Sequence, residues 1–414
     1  MTKNETMASS INRHCLCQTL DKTKLKEKLI NDLDSDLLIN ERVNLFSNTA
    51  VYISSKDLKK IETITQSIEF VIHSKEFQDF VLKDAPQIAI NDFGPKGVFM
   101  GLDFHLTENG PKLIEINTNA GGGLLNLILA KAQVACCEGV KQPFDLPNLE
   151  NDFFKMFLSE WTLQKGSTPL KCIAIIDENP EAQYLFPEFQ LFSKLFKKFG
   201  IESLILDPKD LTLEIDGLWH GKQKVDLLYN RLTDFYLEDI KNIHLKEAYL
   251  SGGAVVTPNP HHHALYANKI NLETLSNVEI LAKMGIASEI MQILGDAIPR
   301  TVKLNEFNKD SIWKDRRKYF FKPAFGFGSK AAYRGDKITL KVWGEINNLQ
   351  YVAQEIAQPG LRIVQVGDEQ NEMKLDIRAY AYNGKIQLIA SRLYSGQTTN
   401  FRTQGGGFAP VFLI

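Results

Sequence analysis

Eleven residues, Leu113 to Gly123, read LIEINTNAGGG. In a β-strand alternate side chains share a face, so Glu115, Asn117 and Asn119 point one way while Ile114, Ile116 and Thr118 point the other. A carboxylate and an amide oxygen so spaced are donors of the kind a hard divalent cation prefers. Asp103 lies twelve positions before Glu115 in the run GVFMGLDFHLT, and the Asn109-Gly110 pair between the two runs marks a hairpin turn. Asp103 therefore falls on the neighbouring strand. Two carboxylates and an amide from adjacent strands suit one or two Mg2+ ions, with water and phosphate completing the shell. On a solvated edge strand the same residues would be a polar face and nothing more; three later segments bear on which reading holds.

The first is FFKPAFGFGSKAAYR, Phe320 to Arg334. Glycines at 326 and 328 let backbone N–H groups approach phosphate oxygens, and Lys322 and Lys330 place charge where phosphates would sit. The GK[ST] ending of a Walker loop is absent, and alone the segment reads equally well as a flexible hairpin tip. The second is YVAQEIAQPG, Tyr351 to Gly360, a short apolar strand ending at a Pro-Gly turn. Such a strand end can line an adenine ring, the backbone of Glu355 and Ile356 meeting the purine edge. The third runs LDIRAYAYNGKIQLIASRLYSGQTTNFRTQGGGF, Leu375 to Phe408. It puts Arg378 and Arg392 on consecutive strands across an Asn383-Gly384 turn. A guanidinium on a buried strand needs paired acceptors, and phosphate or carboxylate fits its fork; Asp376 is the acceptor the chain itself offers. Asn400, Arg402 and three glycines at 405–407 follow on a donor-rich loop suited to an anion.

The elements that must position these groups can be outlined. The chain of 414 residues is long enough for two or three domains, and a formal net charge of -2 with 24% charged residues argues against a general nucleic-acid or anionic-membrane surface. Its five cysteines form no CxxC grid, which fits a reducing compartment, and the polar N-terminus lacks the apolar core of a signal peptide. No apolar run is long enough to cross a bilayer, so a soluble cytoplasmic protein is expected. Residues 22 to about 84 read as mostly helical. After the hairpin come helices at LLNLILAKAQVA and NDFFKMFLSEWTLQ, then a strand–helix–strand rhythm from Lys171 through KCIAIID, PEFQLFSKLFKKFG, IESLILD, an LTLEIDGLWHGKQ hairpin and VDLLYNRL. That alternation predicts a small α/β unit with a parallel sheet, closing near VVTPNP. HALYANKINLETLSN and IASEIMQILG read as helices, and the remainder, KITL included, as strands.

These motifs together resemble the ATP-grasp superfamily in circularly permuted form, and within it eukaryotic glutathione synthetase; glutathionylspermidine synthetases are a more distant comparison. In the ordinary order the lysine strands and glycine loop come first and the Asp and E-x-N strands last. Here DIR, ASR and TNFRTQGGG close the chain, while LDFHL and LIEINTN stand nearly three hundred residues earlier. The likeness covers roughly residues 97–130 and 170–414. It implies an α/β (α+β) ATP-grasp fold with four parts: a mostly helical region over 1–96, metal-binding strands and helices over 97–167, a Rossmann-like α/β substrate domain over 168–258, and a nucleotide-binding domain over 259–414. It further implies Asp103, Glu115 and Asn117 as magnesium ligands, and Lys269 and Lys322 as phosphate contacts. Gly326, Phe327, Gly328 and Ser329 match the mobile loop, Gln354, Glu355 and Ile356 the adenine hinge, and Arg378 and Arg392 the arginines at the γ-phosphate and reacting carboxylate. The implied activity is amide formation from a carboxylate and an amine through an acylphosphate, using ATP and two Mg2+ ions and releasing ADP and phosphate. The loop PAFGFGSK departs from the family in lacking a metal-binding acid, and the C-terminal lid is also different, so the glutathione substrates do not carry over.

Two other readings stand beside this one: a ligase that adds an amino acid to a polypeptide, and an ATP-binding regulator without ligation. Partners expected are a small carboxylate and a small amine, with no nucleic acid and no membrane; the resemblance points to a homodimer with the helical N-terminus as interface. Arg231, ending VDLLYNR, is a candidate carboxylate contact in the cleft, with a salt bridge to Asp234 as its alternative. Asn400 and Arg402 are further substrate candidates. His261, His262 and His263 cannot all face one ion on regular backbone; a helix cap open to solvent, built on Asn259 or His261, is expected. Cys136 and Cys137 read as apolar packing.

Overall fold

The structure is a computed structural model describing residues 6–32, 44–133, 139–326, 331–346 and 350–414. Helices Met7–His14 and Lys22–Asp32 lead to β1 (Val51–Ile53) and then to the helix Ser55–Ile72, whose first turn is capped by the Ser54 hydroxyl accepting from the Asp57 N–H. The predicted hairpin follows as β2 (Met100–Thr107) and β3 (Gly110–Asn117), with Gly110 at φ +99° in the turn, where a side chain would be strained. Helices Gly123–Lys131 and Leu149–Lys165 come next.

The α/β unit consists of β4 (Cys172–Ile176), the helix Phe186–Lys198, β5 (Glu202–Leu206), a meander of β6 (Thr212–Glu214), β7 (Gly217–His220) and β8 (Gln223–Val225), then β9 (Leu227–Asn230) and β10 (Val255–Thr257). Its sheet is parallel throughout in the order β10-β9-β4-β5. A second small sheet, antiparallel, has the order β11 (Thr301–Lys303), β14 (Tyr351–Glu355), β12 (Tyr319–Pro323), β13 (Tyr333–Arg334). Finally β15 (Gly360–Val366), β16 (Glu369–Tyr382), β17 (Lys385–Tyr394) and β18 (Gly407–Leu413) return to the first hairpin. They complete a sheet ordered β1-β18-β17-β16-β2-β3, with β15 also on β16. Strands from near the start and from the end of the chain thus share one sheet.

That sheet divides the molecule. One face, with Leu102, Phe104, Leu113, Ile377, Ala379 and Ile389, packs against Ile61, Ile64 and Ile68 of the helix Ser55–Ile72. On the other face Tyr380, Leu388, Ala390 and Phe408 join the core of the α/β side. The rest of that second face is polar and is described below.

Three expectations differ from what is found. Residues 51–53 are a buried strand parallel to β18, a run too short to break the helical pattern around it. The segment from Pro260 is not one helix: a turn Pro260–His262 passes into a π-helical turn His263–Ala267, then a helix Asn271–Ser276. KITL forms no strand; a helix Leu340–Ile346 begins there, because Trp343 and Ile346, three apart, are both buried and Trp343 seats on Phe321. The Cys136-Cys137 pair lies outside the described residues.

Candidate active site

Register brings the expected residues into rows. Asp103 pairs with Glu115 across β2–β3 and with Arg378 across β2–β16, while Asp376 pairs with Arg392 across β16–β17. Directly opposed residues share a face, and Asp376 and Arg378 are two apart on one strand, so all five side chains lie on the polar face. Gly101 makes room: a Cβ there would lie 2.5 Å from the Ala120 Cβ and 3.5 Å from Arg378 Nε.

The Asp103 carboxylate is buried at 1% exposure. Its Oδ1 accepts from Arg378 Nε at 2.7 Å; its Oδ2 accepts from Arg378 Nη2 at 2.7 Å, Arg392 Nη2 at 2.8 Å and Asn117 Nδ2 at 3.2 Å. Burial pushes this carboxyl up, but the two guanidinium charges outweigh burial and hold it at about 2. Arg392 also forks onto Asp376 at 2.8 and 2.9 Å, and the Thr399 hydroxyl donates to Asp376 Oδ2 at 2.6 Å. Asp103, expected as a magnesium ligand, is thus held between two arginines. Two arginines already neutralise it, and a divalent cation there would sit against them.

Glu115 and Asn117 are placed differently. Glu115 Oε1 lies 3.1 Å from Lys269 Nζ, which also donates to the Gly326 carbonyl at 2.7 Å. Burial raises the Glu115 carboxyl, yet Lys269 and Lys322 together keep it below its ordinary range. The amide nitrogen of Asn117 is spent on Asp103, which leaves its oxygen for another partner. The β2–β3 register slips between Asp103 and Phe104, so that Ile114 is an extra residue on β3. Lys322 of β12 takes the Ile114 carbonyl at 2.8 Å and Gln354 Oε1 at 2.8 Å, and Gln354 Nε2 donates to Thr301 Oγ1 at 3.2 Å. A bulge thus joins the hairpin to the second small sheet. Burial lowers the Lys322 ammonium to about 8.

The remaining candidates separate. Phe327, Gly328, Ser329 and Lys330 lie outside the described residues. The backbone N–H groups of Glu355 and Ile356 donate to the Arg300 and Lys318 carbonyls at 2.8 and 2.9 Å, so neither is available to a purine edge. Each amide meets a neighbouring segment, one before β11 and one before β12, a tertiary pairing the local sequence does not display. Asn400 is occupied within its own loop, accepting from Arg402 N and Thr403 Oγ1 and donating to Ser395 and Thr398 carbonyls; Arg402 is exposed.

Arg231 directly follows β9, and Asp177 directly follows β4, at the carboxyl edge of the parallel sheet. Its Nη1 donates to Asn119 Oδ1 and, at 3.3 Å, to the Tyr229 hydroxyl. Asp234 is not its partner: that carboxylate collects Glu238 N, Asp239 N and Asn242 Nδ2. The three histidines are buried, not open to solvent. The cap itself forms, Asn259 Oδ1 accepting from His262 N, but His261 and His262 also reach the Ala89 and Pro95 carbonyls at 2.7 Å, where their rings are enclosed.

Several residues carry no pattern that sequence reasoning could have used. Glu188 Oε2 and Oε1 accept from Gly122 N and Leu124 N at 2.7 and 3.1 Å, capping the helix Gly123–Lys131 from across the core. Glu160, at 0% exposure, receives Lys96 N, Gly97 N, Thr257 Oγ1 and Tyr382 OH. His105 ties β2 to the Ala357 carbonyl at 2.7 Å. Asp177 is raised to about 6 by burial, with Arg231 opposing.

No family model matches the chain, and no curated protein matches its sequence. Among solved structures it is similar to a glutathione synthetase-like effector from Globodera pallida, in apoform, at 12% identity over 97% of this chain and 100% of that one, with a TM-score of 0.59. A putative gamma-glutamylcysteine synthetase from Methylobacillus flagellatus KT aligns over 82% of this chain and 83% of its own, at 10% identity and a TM-score of 0.46. The ATP-grasp ligase PsnB, complexed with minimal precursor, Mg and ADP, aligns over 52% and 86%, at 13% identity and a TM-score of 0.28. Among the described residues no helix is long and apolar enough to cross a membrane. The fold of this chain is thus like that of the glutathione synthetase-like effector.

Proposed function

We propose that the chain is an ATP-dependent ligase joining a small carboxylate to a small amine, releasing ADP and phosphate. One observation carries this reading. On one polar face, the small sheet beside it and the turn after Ala267, Lys322, Arg378, Arg392 and Lys269 gather against only Asp103, Glu115 and Asp376. The excess is cationic and enclosed, which is what a polyphosphate and a reacting carboxylate require. The pairing of β2–β3 with β16 supports the permuted order of motifs, since it restores in space the neighbours that the sequence separates.

In this reading Lys269 and Lys322 hold the phosphates, and Arg392 and Arg378, locked by Asp103 and Asp376, orient the substrate carboxylate. Its oxygen attacks the γ-phosphorus, the bond to the ADP oxygen breaks, and an acylphosphate results. The amine then attacks the acyl carbon and phosphate leaves, with positioning and charge neutralisation doing what a protein nucleophile would do elsewhere. Among the described residues no three carboxylate, histidine or cysteine side chains gather at one point. Glu115 and the Asn117 oxygen fit magnesium all the same, because that ion takes one or two protein oxygens and completes its shell with phosphate and water. When bound it would neutralise charge on the transferring phosphoryl group. Arg231 is the proposed contact for a second carboxylate of the substrate.

The test is ADP and phosphate release from ATP and Mg2+ with pooled cell metabolites, for the protein and its Glu115→Ala variant. Stimulated release that the variant loses supports ligation, and fractionating the pool names the substrates. Nucleotide binding without release removes the small-molecule ligase reading, and AMP in place of ADP excludes the acylphosphate.

A further inference from the structure

We infer that His263 is a catalytic residue of the amide-forming half of this reaction: its Nε2 receives the proton that the amine sheds as it attacks the acylphosphate. The inference rests on the ligase reading above and adds a role to a residue that reading does not use. His263 is 4% exposed, and its Nδ1 lies 3.3 Å from Thr118 Oγ1, while its Nε2 is buried with no hydrogen-bond partner among the described residues. A buried polar atom without a partner costs free energy that a fold ordinarily avoids, so such an atom beside a reaction site points to a missing ligand.

Two aromatic side chains enclose the ring. Phe235 stacks on it at 3.8 Å between centroids and 10° between planes, and Tyr236 meets it edge-on at 5.3 Å. Its location joins the two halves of the proposed chemistry. Thr118 follows Asn117 directly, and His263 opens the π-helical turn His263–Ala267 that leads to Lys269. Tyr236 also touches Phe325, next to the Gly326 carbonyl that holds Lys269. Wide turns of this kind recur at functional sites.

With Nδ1 carrying the proton and donating to Thr118, Nε2 presents its lone pair. Burial and the Lys269 charge hold the free imidazole neutral, down to about 3; Tyr236 is the other titratable group packed on the ring. The step balances: a C–N bond forms, the C–O bond to phosphate breaks with its electron pair leaving on phosphate, and one amine proton passes to Nε2.

The test adds hydroxylamine to the metabolite-pool assay, since that nucleophile is neutral and reactive at neutral pH and traps acylphosphates without a base. His263→Asn is expected to lose roughly a hundredfold of the pool-stimulated ADP release, and hydroxylamine to restore most of it as hydroxamate. Thr118→Val, which frees the tautomer, should show a smaller loss with the same rescue, and carries the test if His263→Asn does not fold. Glu115→Ala should not be rescued, because there phosphoryl transfer itself is lost. A His263→Asn protein with full activity, or one that hydroxylamine leaves inactive, overturns the assignment while leaving ligation standing. A wild-type protein that forms neither product nor hydroxamate overturns both.

Discussion

Asp103→Asn separates two roles that the sequence alone had merged. Asp103 accepts both nitrogens of one guanidinium fork and one nitrogen of another. An amide of the same shape offers one acceptor oxygen and one donor nitrogen, so whichever way it turns a guanidinium N–H meets an N–H. Removing one partner from a buried ion pair costs about 3–5 kcal/mol, and because Arg392 keeps Asp376 the lower end, about 3 kcal/mol, is expected. The depression of the wild-type carboxyl implies a second figure. The carboxyl is depressed from 3.8 to about 2, so its contribution is present above pH 3.8 and is lost as pH falls through 2; a shift of that size corresponds to about 2 kcal/mol. The two figures agree in scale.

The assay is urea unfolding of both proteins from pH 7.5 downward, together with the Mg2+ dependence of nucleotide affinity. The variant should unfold at lower urea at pH 7.5, the gap should narrow below about pH 4 as the wild-type carboxyl protonates, and the Mg2+ dependence should be unchanged. Glu115→Gln should do the reverse, weakening the Mg2+ effect. An Asp103→Asn protein as stable as wild type but indifferent to Mg2+ would refute the reasoning, because the carboxylate would then serve a metal and not the arginines.

Asp177→Asn should stabilise the protein near pH 7.5. The wild-type carboxyl is raised from 3.8 to about 6, so it favours folding below 3.8 and loses that contribution as pH rises through 6, by up to about 3 kcal/mol; urea midpoints at pH 4 and 7.5 check both ends. Lys322, lowered to about 8, should take up a proton when ATP binds above that pH, and titration calorimetry in buffers of different ionisation enthalpy would then give different heats. Arg362→Met should cost about 3–5 kcal/mol, because the fully buried guanidinium donates to the Ala50, Asn12, Cys15 and Ile363 carbonyls and to Thr49 Oγ1. Limited proteolysis should then cut first within residues 7–20.

What the sequence made legible is what backbone periodicity governs. Alternation along LDFHL, LIEIN, LDIRAY and QLIASRLY put Asp103, Glu115, Arg378 and Arg392 on strands, and the Asn-Gly turns set how those strands fold back. Once strands pair in register, residues distant in sequence must share a face, and no further information is needed to gather them. The partner each side chain takes is another matter. Glu355 and Ile356 looked open because a strand end exposes its amides; they are closed by Arg300 and Lys318, on segments whose positions depend on β11 and β12 pairing with β14 from either side. The histidines looked solvated beside prolines, yet Pro260 opens a turn that carries them into the core, where carbonyls of residues 89 and 95 receive two of the rings. Arg362 gives no sign of its role, since apart from the Ile363 carbonyl its acceptors are backbone carbonyls and one hydroxyl drawn from residues 12 to 50. Periodicity fixes which residues can meet, and tertiary packing decides which of the meetings are already taken. A site inferred from strands is therefore most secure in its list of members and least secure in the free valences it assigns them. That is why the arginine partners of Asp103, and the nitrogen of His263 that is unpartnered among the described residues, became visible only in three dimensions.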